Sequence, residues 1–297
     1  MQVNRREFLT LSAIAGAVAA VPTSASAFTL PDPEHKARLR LSCQEAIAPG
    51  KSLDEKLDFL EENGFEGVEL GGGGLAERVE SCQKALQGRK IKVSAICGGV
   101  DGALISENEG SRQKTIRSIK EILPAAGALG STGLIVVPAF NGQTKLGNQE
   151  GRELLLKLLA ELGDDAQQAK TRVILEPLNR RECFFLRQVA DAAAICRDVN
   201  NPGIGVMGDF WHMTWEETSD MAAFIAAGKY LHHVHMASRK RRIMPGEDEG
   251  DNYVDGFRGL KIIGYQEFVS FECGSNGDRK ITIPAAAKLL RDQWEMA

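Results

Sequence analysis

The chain of 297 residues lacks three features that would each point to a class of protein. It has no excess of basic charge, because 36 Lys and Arg face 40 Asp and Glu, and its net charge is −4. This argues against a nucleic-acid partner, whose phosphates attract a basic surface. Its six cysteines show no Cys-x-x-Cys spacing. Its N-terminal apolar stretch is too short and too weakly hydrophobic for a spanning helix, so we expect no stable membrane insertion.

Residues 1–27 have the pattern of an export signal. The run Asn4-Arg5-Arg6-Glu7-Phe8-Leu9 is a twin-arginine motif, and an Ala-rich apolar stretch leads from it to the small-x-small site Ala25-Ser26-Ala27. We expect cleavage before Phe28 and a periplasmic or otherwise exported protein. Because the twin-arginine route carries proteins that fold in a reducing cytoplasm, the cysteines are predicted to be mostly buried thiols.

Residues 28–297 have the length of a single (β/α)8 TIM barrel. Short apolar runs alternate with helical patterns, which is typical of βα units on a parallel sheet. We predict strands near residues 38–43, 66–70, 91–96, 133–138, 172–176, 204–208, 231–236 and 269–272. We predict helices near 52–63, 75–88, 109–129, 149–169, 186–199, 216–227, 258–264 and 281–295. The charged, Gly-rich stretch 238–256 is predicted to be a functional or mobile loop.

Four predicted strand ends in the second half of the chain carry residue types that bind divalent metals. These residues are Glu176, Asp209, His235 and Glu272. The carboxyl ends of the strands in a parallel barrel converge on one face, where catalysis takes place. A carboxylate buried behind an apolar run is costly unless it is paired. A carboxylate-rich set with one imidazole suits Mn²⁺, Co²⁺, Mg²⁺ or Zn²⁺, so the sequence predicts a metal site at this face.

Other residues near these strand ends are candidates for contacting a substrate. They are Glu69, Trp211, His212, Arg241 and Arg242. His212 follows Asp209 by three residues, and Glu69 closes the second strand. The two arginines lie in the loop after strand seven, where a guanidinium can orient hydroxyl groups or stabilise negative charge.

Three histidines, His232, His233 and His235, lie on the predicted seventh strand. His233 and His235 alternate along the strand, so both are predicted to face the barrel interior. His235 is nearer the end of the strand and is therefore the better metal ligand. His232 is predicted to face the helices.

These motifs resemble the xylose isomerase-like TIM barrels, the sugar phosphate isomerase/epimerase superfamily that includes the ketose 3-epimerases. The resemblance extends from about residue 40 to 295. It rests on Glu-Pro-Leu-Asn after strand five, Asp-x-x-His after strand six, His-x-His on strand seven, Arg-x-x-Pro-Gly in the next loop and the Glu that ends strand eight. It implies a metal, Mn²⁺ before Co²⁺, held by Glu176, Asp209, His235 and Glu272.

The resemblance also implies roles for the residues around the metal. Glu176 and Glu272 would each move a proton, one on each face of a sugar, while His212 and a loop arginine would hold its hydroxyl groups. The spacing does not decide which arginine of the loop has this role. Arg242 matches by its distance to Pro-Gly, and Arg241 matches by its distance from His235.

The expected function is a divalent-metal-dependent sugar isomerase or epimerase that abstracts a proton α to a carbonyl through a metal-stabilised enediolate. One such site also supports elimination, so a lyase or dehydratase of keto-sugars, keto-inositols or 3-keto-glycosides is the alternative. An endonuclease branch of this fold is disfavoured because strands two and three end in Glu69 and Cys97, not histidines. A non-catalytic sugar-binding barrel would be expected to have lost a ligand. The expected partner is a small-molecule sugar substrate, and the sequence does not decide whether the protein forms a homo-oligomer.

Overall fold

A computed structural model of the protein describes residues 36–297, so the predicted signal at 1–27 lies outside the described residues. Eight parallel strands pair in chain order, and the eighth pairs with the first to close a barrel. The strands are β1 Arg40–Gln44, β2 Gly67–Gly71, β3 Lys92–Cys97, β4 Leu134–Val136, β5 Val173–Leu175, β6 Ile204–Asp209, β7 Leu231–Met236 and β8 Phe268–Phe271. The predicted single TIM barrel and all eight of its strands are confirmed.

Helices follow the strands and surround the barrel. They are α1 Leu53–Glu62, α2 Leu75–Leu86, α3 Glu109–Ala128, α4 Asn148–Gln168, α5 Val189–Val199, α6 Phe210–Glu216, α7 Asp220–Ala227, α8 Val254–Ile262 and α9 Arg279–Met296. The single helix predicted for 216–227 is wrong in its start, because α6 begins directly after β6 and α7 restarts at a Ser219 cap. No helix within residues 36–297 is long and apolar enough to cross a membrane.

Helix α1 shows how local sequence sets the element boundaries. The Ser52 hydroxyl accepts a hydrogen bond from the Glu55 backbone N–H at 3.2 Å, which satisfies one of the free amides of the first turn. The Glu55 carboxylate accepts from the Lys51 N–H at 2.8 Å, one residue before the position that a capping box uses. Leu57 and Leu60 are fully buried against the barrel.

The interior of the barrel is apolar on one side and polar on the other. Its apolar side is a separate cluster formed by Ala95, Ile135, Ile174 and Met207. The polar side is crossed by a hydrogen bond of 2.7 Å between the hydroxyls of Ser42 on β1 and Ser94 on β3. The larger apolar core lies between the strands and the helices. Polar side chains of β1, β2, β3 and β7 therefore lie together on this side of the barrel.

The stretch after β7 is irregular up to Tyr253, and its first half is tied together by Ser238. The buried Ser238 hydroxyl donates to Asp248 at 2.5 Å and accepts from the Ile243 N–H at 3.1 Å. The Ser238 N–H donates to the Ile243 carbonyl at 2.8 Å. These bonds hold the loop against the mouth of the barrel.

The six cysteines are free thiols, five of them buried and Cys97 half-buried, as predicted.

Candidate active site

The four predicted metal ligands meet at the carboxyl ends of β5 to β8. One ligand atom from each of Glu176, Asp209, His235 and Glu272 lies within 4.8 Å of the ligand atoms of the others. The His235 Nδ1 lies 3.0 Å from Glu272 Oε2 and 3.8 Å from Glu176 Oε1. The Glu272 side chain is 22% exposed and that of Glu176 is 8% exposed, so a substrate can reach both carboxylates.

Asp209 both ends β6 and begins α6. Its Oδ1 accepts hydrogen bonds from the N–H groups of Trp211 at 2.7 Å and His212 at 3.4 Å, which makes it the N-cap of the helix. Its Oδ2 faces the cluster and lies 3.7 Å from the His212 Nε2. The Asp-x-x-His spacing is therefore one turn of a capped helix that brings both side chains to the same site.

His212 is held in one tautomer by the loop after β5. The Asn179 backbone N–H donates to the His212 Nδ1 at 3.1 Å, so that nitrogen carries no proton. The neutral ring then has its proton on Nε2. This arrangement presents a hydrogen-bond donor to the cavity beside the ligand cluster.

The two adjacent arginines diverge. The Arg242 guanidinium donates to Asp209 Oδ2 at 3.0 Å, also contacts Glu272, and lies over the Trp211 ring at 4.7 Å from its centroid. Arg241 instead pairs with Asp248 at 2.5 Å and its side chain is 56% exposed. The structure thus places Arg242 at the ligand cluster and Arg241 at the surface of the loop.

The backbone of Arg242 explains this divergence. Its φ is +55°, a left-handed conformation that non-glycine residues seldom adopt. The conformation is held by a hydrogen bond of 2.9 Å from the Gly274 N–H to the Arg242 carbonyl, and by the Ser238 turn. Backbone strain of this kind is often found at functional sites.

The structure places Glu69 behind the cluster instead of against the substrate cavity. Its side chain is 0% exposed, and its Oε2 lies 2.7 Å from His233 Nε2 and 2.9 Å from His235 Nε2. The predicted substrate contact by Glu69 is therefore corrected to a contact with the ring of a predicted metal ligand. His233 and His235 both face inward, as their alternation predicts.

An open cavity of about 220 Å³ lies in front of the cluster. Its wall carries the polar groups of Glu176, Glu182, His212, Arg242 and Glu272 and the apolar side chains of Ile135, Val137, Phe140 and Leu178. This volume fits a ligand the size of a monosaccharide. Phe140, in the loop after β4, is 43% exposed at the rim.

Glu182 is a site residue that the sequence reasoning missed. Its carboxylate accepts a hydrogen bond of 3.1 Å from the Asn179 amide, and its backbone carbonyl accepts one of 2.7 Å from the Asn141 N–H. Asn179 therefore braces both Glu182 and His212. The sequence signal that could have identified it is its position, six residues after Glu176 in the loop that follows β5.

The two glutamates of the cluster have opposite pKa shifts. Burial raises the pKa of Glu176, and the nearby His235 ring only partly offsets this effect. Burial also disfavours ionisation of Glu272, but His235 and Arg242 outweigh it and lower the pKa of Glu272 to about 2. A pair of carboxylates with separated pKa values is the arrangement that acid–base chemistry needs.

The residues of the cluster fit a divalent metal ion. Three carboxylates and one imidazole converge, which is a ligand set that suits Mn²⁺ or a similar ion. Among residues 36–297, the buried His235 Nδ1 has no hydrogen-bond partner, although Glu272 Oε2 lies 3.0 Å from it. A buried ring nitrogen left in this way is an available ligand atom.

Residues 57–293 match the sequence profile of the family described as Xylose isomerase-like TIM barrel, and the chain belongs to this family. It is 31% identical over 243 residues to the 3-dehydro-D-guloside 4-epimerase of Escherichia coli (strain K12), a match that covers 79% of this chain and 92% of that protein. It is 24% identical over 224 residues to the ketose 3-epimerase of Arthrobacter globiformis, covering 73% of this chain and 75% of that protein.

A solved structure is similar to this chain both in fold and in sequence. The crystal structure of the E. coli 3-keto-D-glucoside 4-epimerase superposes with a TM-score of 0.77 and 26% identity, covering 86% of this chain and 99% of that one. With these relatives, the chain is an enzyme of the sugar isomerase/epimerase class.

Proposed function

We propose that the protein is a divalent-metal-dependent epimerase that inverts a carbon next to a ketone in a keto-sugar, with 3-keto-glycosides as the preferred substrate class. The observation that carries this proposal is the convergence of Glu176 and Glu272 on His235 from β5 and β8, beside a cavity of about 220 Å³. The relatives with epimerase names support inversion over the lyase alternative.

The reaction requires one group to remove a proton and another to return one. One of the two carboxylates removes the proton from the carbon next to the ketone, and the other delivers a proton to the same carbon from the opposite face. The product is the epimer, and no other bond is broken. A divalent ion held by Glu176, Asp209, His235 and Glu272 would act as a Lewis acid toward the negative charge that develops on the carbonyl oxygen.

The neighbouring side chains position the substrate. The His212 Nε2–H and the Arg242 guanidinium donate hydrogen bonds to its oxygens, and the Glu182 carboxylate accepts from a hydroxyl group. Phe140 supports the choice of a glycoside. An aromatic ring exposed at the rim of the pocket provides a surface on which a sugar ring or an aglycone can pack.

Solvent deuterium exchange tests the proposed reaction. The Mn²⁺-loaded protein is incubated in D₂O with methyl 3-keto-glycosides, free ketoses and keto-inositols, the metal is then chelated, and the products are analysed by NMR. We expect an epimer carrying deuterium at the inverted carbon. Glu176→Gln and Glu272→Gln should each lower the rate by about 10²–10⁴-fold, because each removes one proton-transfer group.

The matched control is Glu66→Gln, a half-exposed glutamate just before β2 that pairs with Arg40 at the opposite end of the barrel, and it should leave the rate unchanged. Release of water or an aglycone without formation of an epimer would contradict the proposed epimerisation and assign the protein to the lyases. Absence of exchange with the whole panel would contradict the proposal.

We also propose that residues 1–27 are a twin-arginine signal and that the mature enzyme begins at Phe28, on the basis of the sequence pattern alone. N-terminal sequencing of the exported protein tests this. Retention in the cytoplasm with Met1 intact would contradict it.

A further inference from the structure

One carboxylate oxygen inside the barrel is shared by two histidines. Glu69 Oε2 lies 2.7 Å from His233 Nε2 and 2.9 Å from His235 Nε2, and all three side chains are 0% exposed. The other oxygen of Glu69 accepts a hydrogen bond of 2.8 Å from the Gln44 amide. Both oxygens of this buried carboxylate are therefore engaged, and the group has a fixed position.

This sharing determines which nitrogen of each ring carries a proton. A carboxylate oxygen can only accept, so each Nε2 must donate to it. In a neutral His235 the Nδ1 is then left with its lone pair. That atom lies 3.0 Å from Glu272 Oε2 and 3.8 Å from Glu176 Oε1, on the cluster side of the ring. Glu69 thus both orients the ring and chooses the nitrogen that faces the cluster.

The strand pairing around Glu69 is irregular in a way that fits this role. The register between β2 and β3 shifts between Val68 and Leu70, so that Ser94 and Ala95 of β3 lie opposite Glu69 alone. Such bulges re-aim side chains and are common beside active sites. Here the shift occurs at the residue whose carboxylate crosses the barrel to β7.

Two other roles for Glu69 fit the structure less well. A substrate contact conflicts with its complete burial behind the His235 ring. A second metal site is suggested by its proximity to Cys97 and His235, which offer ligand atoms within 4.8 Å of one another. However, the oxygens of Glu69 are already occupied by His233, His235 and Gln44, and the His235 Nε2 is itself directed at Glu69.

We propose that Glu69 is a positioning residue for the metal site: it fixes the orientation and the Nε2–H tautomer of His235, so that Nδ1 is the metal-binding atom. His233, as the second donor to the same oxygen, holds the carboxylate in place. This inference rests on the metal site of the proposed function. A carboxylate bonded to the outer nitrogen of a ligating imidazole both orients the ring and raises its basicity.

Mn²⁺ affinity, measured by calorimetry on the metal-free mature protein, tests the role of Glu69. Glu69→Leu keeps a similar volume and removes both acceptor oxygens, and we expect about 10–100-fold weaker binding. Glu69→Gln keeps one acceptor oxygen without the charge, and should recover part of the lost affinity. Near-UV circular dichroism establishes that each variant is folded before its affinity is compared.

The matched control is Ser42→Ala, which removes a buried hydroxyl bonded to Ser94 on the same polar side of the barrel, and its affinity should stay within about twofold of wild type. A purely structural role for Glu69 would lower the stability of the Leu variant and leave the Mn²⁺ affinity of its folded form unchanged, which overturns the proposal. Absence of Mn²⁺ binding by the wild-type protein overturns the proposed metal site and this inference together.

A measurement on the wild-type protein does not depend on the folding of any variant. Loaded with Zn²⁺ and labelled with ¹⁵N-histidine, it should show His235 coordinated through Nδ1 with a hydrogen-bonded proton on Nε2. Coordination through Nε2 would overturn the inference, while epimerase activity would still stand on its own test.

Discussion

Two neighbouring residues, Arg241 and Arg242, show how much of this site is decided by single backbone conformations. Both have the same side chain, and they differ in sequence position by one. Arg242 has a φ of +55° and reaches Asp209 and Glu272, while Arg241 forms an ion pair with Asp248 at the surface of the loop. The chemistry of the guanidinium is available to the site only from one of them.

We predict that Arg242→Gln lowers kcat/KM by about 10²–10³-fold, since it removes a charged hydrogen-bond donor from the reaction centre. Arg241→Gln should stay within about threefold of wild type, because an exposed ion pair contributes little. Steady-state kinetics on the substrate that gives deuterium exchange measures both. Equal losses in the two variants would mean that the loop acts as a unit and that Arg242 has no special role.

The sequence alone could predict that Glu176, Asp209, His235 and Glu272 meet at one face, because each stands at a strand end, a place that the barrel fold fixes. It could not separate Arg241 from Arg242, because a left-handed φ at a non-glycine residue depends on the hydrogen bonds of Ser238 and Gly274. Glu182 was missed for a similar reason. Its approach to the cavity depends on Asn179 and Asn141, which come from two different loops.

At the scale of the element, β7 places its three histidines on two different sides of the strand. His233 and His235 face the barrel interior, and His232 lies at the register shift between β6 and β7. A Cβ on Gly205 would lie 2.5 Å from the His232 Cδ2, so this glycine is needed for the ring to pack. Burial, with a smaller contribution from Arg172, lowers the pKa of His232 to about 3.

This shift predicts a loss of stability in mild acid. The folded protein disfavours the protonated ring, so the contribution of His232 is fully present above its unfolded pKa of 6.5 and is lost as the pH falls toward 3. Between pH 7.5 and 5.0 the loss from this one group is about 2 kcal/mol. The asparagine side chain in His232→Asn does not titrate in this range. The free energy of unfolding of wild type minus that of the variant should therefore decrease by about 2 kcal/mol between pH 7.5 and 5.0.

Urea unfolding at the two pH values, with EDTA in both samples, measures this decrease. The remaining histidines are common to both proteins, so their titration cancels in the difference. If the difference in the free energy of unfolding between wild type and variant stays constant with pH, His232 is protonated as easily in the folded chain as in the unfolded chain.

The strands were predictable from the sequence because their apolar runs are short and bounded by helical patterns. The start of α6 at Phe210 was not, since Asp209 serves at once as the last residue of β6 and the cap of the helix. No connecting residues separate the two elements, so the usual turn signal is missing. This direct junction is what brings Asp209 and His212 to one site.

At the scale of the whole molecule, the barrel concentrates negative charge at one end of a polar interior. Glu176, Asp209 and Glu272 lie together, with Arg242 beside them. On the polar side below, within the part of the chain that the structure describes, the buried His233 Nδ1 and Ser270 Oγ also lack hydrogen-bond partners. Crowded carboxylates and buried polar atoms both cost folding free energy unless something pairs with them.

A bound cation should therefore stabilise the whole barrel. At a free Mn²⁺ concentration of 100 times Kd, the free energy of unfolding should rise by about 2.7 kcal/mol. For a domain of this size that corresponds to a rise in Tm of roughly 5–10 °C, which EDTA should reverse. Thermal unfolding followed by circular dichroism measures it, with Glu272→Gln, which lacks one ligand charge, as the comparison. Because the stabilisation comes from the four-residue site, this variant should show a much smaller rise at the same Mn²⁺ concentration, and an equal rise would place the stabilising ion elsewhere on the protein.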